Sequence, residues 1–171
     1  MPLNSLQELL LEELRDIYSA EKQLVKALPK LAKAASNPTL RAAIEDHLSE
    51  TEGQVARLET IFESLGEKAT GKKCKGMEGL IKEGDEMAEE EGEDAVRDAG
   101  IISAAQRVEH YEMAAYGCVI TYARMLGYTT VVSELEDTLA EENATDARLT
   151  ELAVNEVNKA AMEAGAEIAG D

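Results

Sequence analysis

The chain has 171 residues, of which 30% are charged, 44% apolar and only 4% aromatic, and its formal net charge is −18. That balance describes a folded helical protein, long enough to bury a sizeable core as one domain over residues 1–171. The acidic excess excludes non-specific nucleic-acid binding, because no basic surface is concentrated enough to neutralise phosphates.

Lys72, Lys73 and Lys75 make one short basic cluster, read as a solvated loop. No apolar run approaches the ~20 residues that span a bilayer, and no signal-peptide pattern opens the sequence. The two cysteines, Cys74 and Cys118, are too few for a disulfide framework. A cytoplasmic protein with free thiols, no membrane partner and no nucleic-acid partner is expected. Cys118, in an apolar helical stretch, reads as a buried small hydrophobe.

In chain order, Ser5-Leu-Gln-Glu8 is a capping box that starts the first helix near residue 6. Its apolar face runs Leu10, Leu14, Ile17, Leu24, Leu28 and Leu31 with a period of ~3.6. Pro29 removes a backbone donor and predicts an interruption or a kink. Asn37-Pro38 supplies a cap and a first helical residue for the second helix. That helix carries Leu40, Ile44, Leu48, Thr51, Val55, Leu58, Phe62 and Leu65 and ends at Gly66, so 5–66 form a helical hairpin. Residues 67–93 are a crossover: a loop at Gly71, Lys72 and Lys73, then a short helix from Met77 to Glu91, weakened or ended by Gly84 and Gly92. The third long helix starts near Asp94 and stops at Gly127. Thr129 or Thr130 caps the fourth, which completes the hairpin 94–163 before a frayed tail, 164–171. The expected fold is all-α, a four-helix bundle whose long crossover contains a short fifth helix.

Several acids lie inside the apolar stripes. Glu112 shares its face with Val108, Ala115 and Val119, and Glu21 sits among Leu14, Ile17, Tyr18, Leu24, Val25 and Leu28. Glu142 sits among Leu135, Leu139 and Leu149, with Asp146 one turn on. His47, Glu50 and Gln54 share one side of the second helix, Glu50 near its edge beside Ile61. Buried charge is costly unless paired or metal-bound. Glu21 and Glu50 straddle the first interhelical turn, and Glu112 and Glu142 straddle the second about Gly127. At ~1.5 Å per residue each lies roughly 22 Å from its turn, near mid-helix. A crossover that returns along the bundle therefore brings Glu21, Glu50, Glu112 and Glu142 together at its centre.

Carboxylate-bridged di-metal bundles take one Glu from each of two helices and a Glu-x-x-His from each of the others. Carboxylates suit iron, manganese and zinc ions, and an empty cluster of them would repel itself. The competing structural reading pairs the buried acids with Arg15, Arg107 or Tyr18. His47 is either a ligand or a core histidine. His110 is placed at the surface, Tyr18 and Tyr111 as packing and hydrogen-bond partners, and Glu141 as a solvated acid.

The runs Leu14-Arg-Asp-Ile-Tyr-Ser-Ala-Glu21-Lys-Gln-Leu24, His47-Leu-Ser-Glu50-Thr51 with Gln54, Val108-Glu-His-Tyr-Glu112 and Leu139-Ala-Glu-Glu142 with Asp146 resemble the YciE/YciF family of bacterial stress-associated proteins. The resemblance covers nearly the whole chain, including Lys73-Cys-Lys-Gly-Met-Glu78 in the crossover. It implies a ferritin-like fold, homodimers and similarity to rubrerythrin-type di-iron proteins, with no defined activity. Unlike the usual ferritin pattern, this chain has no Glu-x-x-His at these positions; His47-x-x-Glu50 and Glu142-x-x-x-Asp146 stand there instead. The expected ligands are Glu21, Glu50, Glu112 and Glu142, with His47, Gln54, Glu109 and Asp146 as further candidates. The expected cofactors are two divalent metal ions, iron first, with manganese or zinc as alternatives. Dioxygen, peroxide or Fe²⁺ would be the substrate of an oxidase, peroxidase or ferroxidase. The alternative is a non-catalytic stress bundle acting through a partner, with a degenerate or empty site. Ile101, Ile102, Val131 and Val132 are expected to supply apolar surface for a homodimer.

Overall fold

A computed structural model describes residues 3–169 of the chain. Ser5 caps α1 (Leu6–Ala34): its hydroxyl accepts from the Glu8 amide, and the Glu8 carboxylate accepts from the Ser5 amide. The helix passes unbroken through Pro29. Pro29 lies on the exposed side, where water can take up the carbonyl its missing N–H leaves free. Asn37 caps α2 (Pro38–Ser64) by accepting from the amides of Thr39 and Leu40. Gly66, with φ 72°, ends that hairpin arm in the left-handed conformation that costs glycine least.

The crossover helix α3 (Lys75–Glu89) starts before the expected Met77 because Cys74 caps it, its sulfur accepting from the Met77 amide. Gly84 does not end α3; it is buried against the bundle. Before α3 the loop lysines pair with acids, Lys72 with Glu12 at 2.6 Å and Lys73 with Glu78 at 2.5 Å. After α4 (Asp94–Met125), Gly127 at φ 78° reverses the chain. Thr129 is the first residue of α5 (Thr129–Leu152), and no side chain caps that helix, contrary to the expected threonine cap. A π-helical turn (Ala153–Val157) then leads into α6 (Asn158–Ala169). The expected frayed tail is therefore helical to Ala169, and its last two positions lie outside the described residues.

The long helices pair as α1 with α2 and α4 with α5, while α1 also packs on α4 and α2 on α5. α3 lies across α1 and α4, and α6 packs on α4. The two turns consequently sit at opposite ends of the bundle. One apolar cluster, including Leu24, Leu28, Leu40, Ile44, Ile101 and Leu149, fills the end near the first turn. A second, including Leu10, Leu14, Leu58, Phe62, Val119 and Leu135, fills the other. Between them a buried polar layer crosses the bundle at Glu21, His47, Thr51, Gln54, Glu109, Glu112, Thr138 and Glu142.

Ile101, Ile102 and Val131 are buried in these clusters and Val132 packs against one, so they leave no free apolar face for a dimer. Cys118 is exposed, because it points ~120° round α4 from Glu112. Among the described residues, no helix is long and apolar enough to cross a membrane.

Candidate metal centre

The polar layer is built by residues at mid-helix positions on four helices. α1 contributes Glu21, α2 His47, α4 Glu109 and Glu112, and α5 Glu142. One donor atom each from His47, Glu109, Glu112 and Glu142 lies within 4.8 Å of the other three. His47 Nδ1 is 3.2 Å from Glu109 Oε1, and its Nε2 is 3.9 Å from Glu142 Oε2. Thr51 hydrogen-bonds the His47 carbonyl at 2.8 Å, which uses the threonine hydroxyl without touching the imidazole.

The donors are largely unused. Both oxygens of Glu109, Glu112 and Glu142, Oε2 of Glu21 and Nε2 of His47 are buried without a hydrogen-bond partner. Leaving a polar group buried and unpaired costs ~1–3 kcal/mol, more when it is charged. Divalent cations would satisfy several of these atoms at once, so this donor set fits a metal. The neutralising partners proposed from sequence are engaged elsewhere: Arg15 with Glu67 at 3.1 Å, Arg107 with Glu83 at 3.4 Å and Tyr18 with Glu59 at 2.8 Å.

Electrostatics push the layer toward neutrality when no cation is bound. Burial, reinforced by the charge of Glu142, raises the Glu21 carboxyl to about 8. Burial raises Glu142 to about 7, with the neighbouring Glu109 and Gln54 working the other way. Glu109 and Glu112 are held well above the usual carboxylate range by burial and then by their acidic neighbours. Burial alone lowers His47 to about 4, which keeps its imidazole neutral and able to ligate.

Residues 5–162 match the family described as a domain of unknown function, DUF892. The chain belongs to the DUF892 family. It is 48% identical over 162 residues to Protein YciF of Escherichia coli (strain K12), a match spanning 94% of this chain and 98% of that protein. The crystal structure of the E. coli stress protein YciF superposes with a TM-score of 0.88 at 48% identity, covering 92% of this chain and 99% of that one. YcfI from Rhodopseudomonas palustris, described provisionally as a structural protein, gives a TM-score of 0.84 at 45% identity over 86% of this chain and 94% of its own.

Within this DUF892 fold two of the expected ligands, Glu50 and Asp146, fall outside the cluster. Glu50 is exposed and accepts a hydrogen bond from Thr145 at 3.1 Å, outside the buried cluster. Glu109 takes its place. Both lie ~60° round the helix from an inward residue, Glu50 from His47 and Glu109 from Glu112. Among the described residues α2 packs chiefly on α1 and α5, whereas α4 packs on α1, α3, α5 and α6, so an offset of the same size exposes one and buries the other. Asp146 falls just past the inner edge of α5, pairing with His110 at 3.3 Å and accepting from Gln106 at 3.1 Å.

Glu141 is not a freely solvated acid. Arg57 grips both its oxygens, at 2.8 and 2.9 Å, and Gln54 donates to it at 3.1 Å. Burial works to raise this carboxyl, but the Arg57 and Gln54 hydrogen bonds together outweigh it and hold it low. Tyr116 was not singled out from the sequence, yet it is fully buried and donates to Glu21 Oε1. Its place one turn after Glu112 was the available signal.

Proposed function

We propose that this chain is a ferritin-like di-metal protein, holding iron or manganese, with zinc the third choice, on His47, Glu109, Glu112 and Glu142 with Glu21 beside them. In this reading it handles dioxygen, peroxide or Fe²⁺ during a bacterial stress response in the cytoplasm. The observation that supports it is the set of buried donor atoms without partners, gathered within 4.8 Å from α2, α4 and α5. Four ionised glutamates carry the charge that two divalent ions cancel, and carboxylates readily bridge such ions. Bound there, the ions would supply redox and Lewis-acid chemistry. The chain's own residues position the donors, keep the imidazole neutral and exclude water between two apolar clusters. The stress role rests on the description of the E. coli relative.

Elemental analysis of protein purified without chelator or affinity metal tests this reading. The expected result is iron or manganese at about two ions per chain. No bound metal, and no uptake when Fe²⁺ or Mn²⁺ is added, overturns it.

A second reading is a non-catalytic dimeric bundle acting through a partner, its metal site empty. It is favoured by the hydrogen bond from Tyr116 to Glu21 and by the raised carboxyl pKa values, which let the layer persist uncharged. Metal content and oxidant-dependent turnover separate the two. Both readings take the chain as a homodimer, so a monomeric mass by light scattering at micromolar concentration removes that element.

A further inference from the structure

We infer that the space beneath α3 is an entry chamber that admits a small, uncharged, apolar molecule of the size of dioxygen to the buried centre. Its purpose rests on the metal reading above, whereas its existence does not. A cavity of about 30 Å³ lies between α1, α3 and α4, walled chiefly by Leu24, Leu28, Ile81 and Val108. His47 and Glu109 also line it, and the imidazole Nε2 and both Glu109 carboxylate oxygens are among the unpartnered buried atoms. The chamber therefore joins an apolar wall to candidate metal ligands.

At one point the wall carries no side chain, so a larger residue there would grow into the space. Gly84 of α3 is buried at the chamber wall, and a Cβ built there would meet only Ala104 Cβ, at 3.8 Å. Lys30 fastens α3 to α1 beside it, with ion pairs to Asp85 at 3.0 Å and Glu89 at 2.8 Å. Away from His47 and Glu109 the wall offers a water few polar partners, and apolar cavity walls accept apolar guests. An ion entering the same space would lose its hydration to a wall that is mostly leucine and isoleucine, where the one acid short of the cluster, Asp85, is already paired with Lys30 at 3.0 Å. The chamber thus selects a neutral gas over Fe²⁺ or any charged reactant.

Methyl NMR of the metal-free protein under dioxygen pressure tests this, because dioxygen is paramagnetic and broadens the signals it approaches. The methyls of Leu28 and Val108 should relax several-fold faster with dioxygen than those of Leu10 and Leu58, which are buried in the other apolar cluster, away from the chamber. Gly84→Val should bring Leu28 and Val108 down to the Leu10 level, while Gly79→Val, on the exposed side of the same helix, should leave them fast. If Gly84→Val loses its helical signal, Ala105→Ile closes the same space from α4 and takes its place. Equal relaxation at all four residues in wild type, or fast relaxation that survives filling the space, overturns the inference. Metal content is read separately, so protein that binds no metal but shows the dioxygen effect loses the metal reading and keeps the chamber.

Discussion

Tyr116 donates its phenolic hydrogen to Glu21 Oε1 over 2.5 Å, joining α4 to α1 across 95 residues of sequence with both side chains fully buried. Burial, and then the charge of Glu21, holds the phenol well above its usual range, so it remains the donor. The bond occupies one Glu21 oxygen and leaves Oε2 without a partner. Tyr116→Phe strands both oxygens and should cost ~1–3 kcal/mol in the metal-free protein. Urea unfolding should show a lower midpoint at an unchanged slope, and saturating metal should recover part of the loss by binding only the native state. An unchanged midpoint in the metal-free protein would show that the bond contributes nothing.

Glu112 and Glu50 separate the buried layer from the wet surface. Glu112→Gln keeps the size of the side chain but removes a charge from the cluster, so metal content should fall well below wild type. Without metal, the amide removes the need to hold either a proton or a charge on this buried carboxyl, so stability should stay equal or rise. Glu50→Gln should preserve metal content and shift stability by no more than ~0.5 kcal/mol, as exposed substitutions usually do. Glu141 cannot serve as that control, because replacing it breaks the two-pronged contact with Arg57. Equal metal content in wild type and Glu112→Gln would remove the central acid of α4 from the site.

Much of this arrangement was legible because helical period and turn position are local properties. Ser5, Asn37, Gly66 and Gly127 place the ends of the long helices, and mid-helix spacing from the turns puts Glu21, Glu112 and Glu142 at one level. What local pattern cannot carry is how many neighbours a helix has. That number buries Glu109 on α4 and exposes Glu50 on α2 at the same angular offset. Long-range polar contacts were hidden for the same reason. Asp98 is buried at the start of the second hairpin and accepts from the amides of Ser36 and Asn37 at 2.9 and 2.7 Å, an anchor spanning some sixty residues that no spacing rule reveals.

The cluster gives the metal-free protein a distinctive pH dependence. An unfolded glutamate releases its proton near ~4.3. Folded Glu21 retains its proton up to about 8 and Glu142 up to about 7, so between those limits the native state binds more protons and stability falls as pH rises. His47 acts oppositely: it is neutral when folded down to about 4, and its burial costs stability only below the ordinary value of ~6.5. From about pH 6.5 to 8 only the carboxyl effect remains, and the melting temperature should drop by roughly 3–6 °C. Metal replaces those protons, so metal-loaded protein should be flat or rising over the same range. A metal-free melting temperature that rises between pH 6.5 and 8 would contradict the raised carboxyl values.

The two cysteines should differ sharply in reactivity. Cys118 is exposed on α4, where a thiol reagent can reach it without any opening of the fold. Cys74 is fully buried at the start of α3, its sulfur 2.9 Å from the Tyr111 hydroxyl, which in turn donates to Asp16 at 3.1 Å. Burial, and then the contact with Asp16, pushes the Cys74 thiol above its ordinary value, so little of the reactive thiolate forms there. Reaction at Cys74 therefore requires α3 to lift from α1 and α4. Maleimide labelling followed by mass spectrometry should find one modified cysteine, Cys118, in native protein and both in urea. Tyr111→Phe removes a contact to the sulfur while preserving the ring beside Gly76, and should speed native-state labelling of Cys74 several-fold with little effect at Cys118. Rapid labelling of Cys74 in the native wild type would mean that α3 opens readily, and no change with Tyr111→Phe would mean that the hydroxyl does not hold it closed.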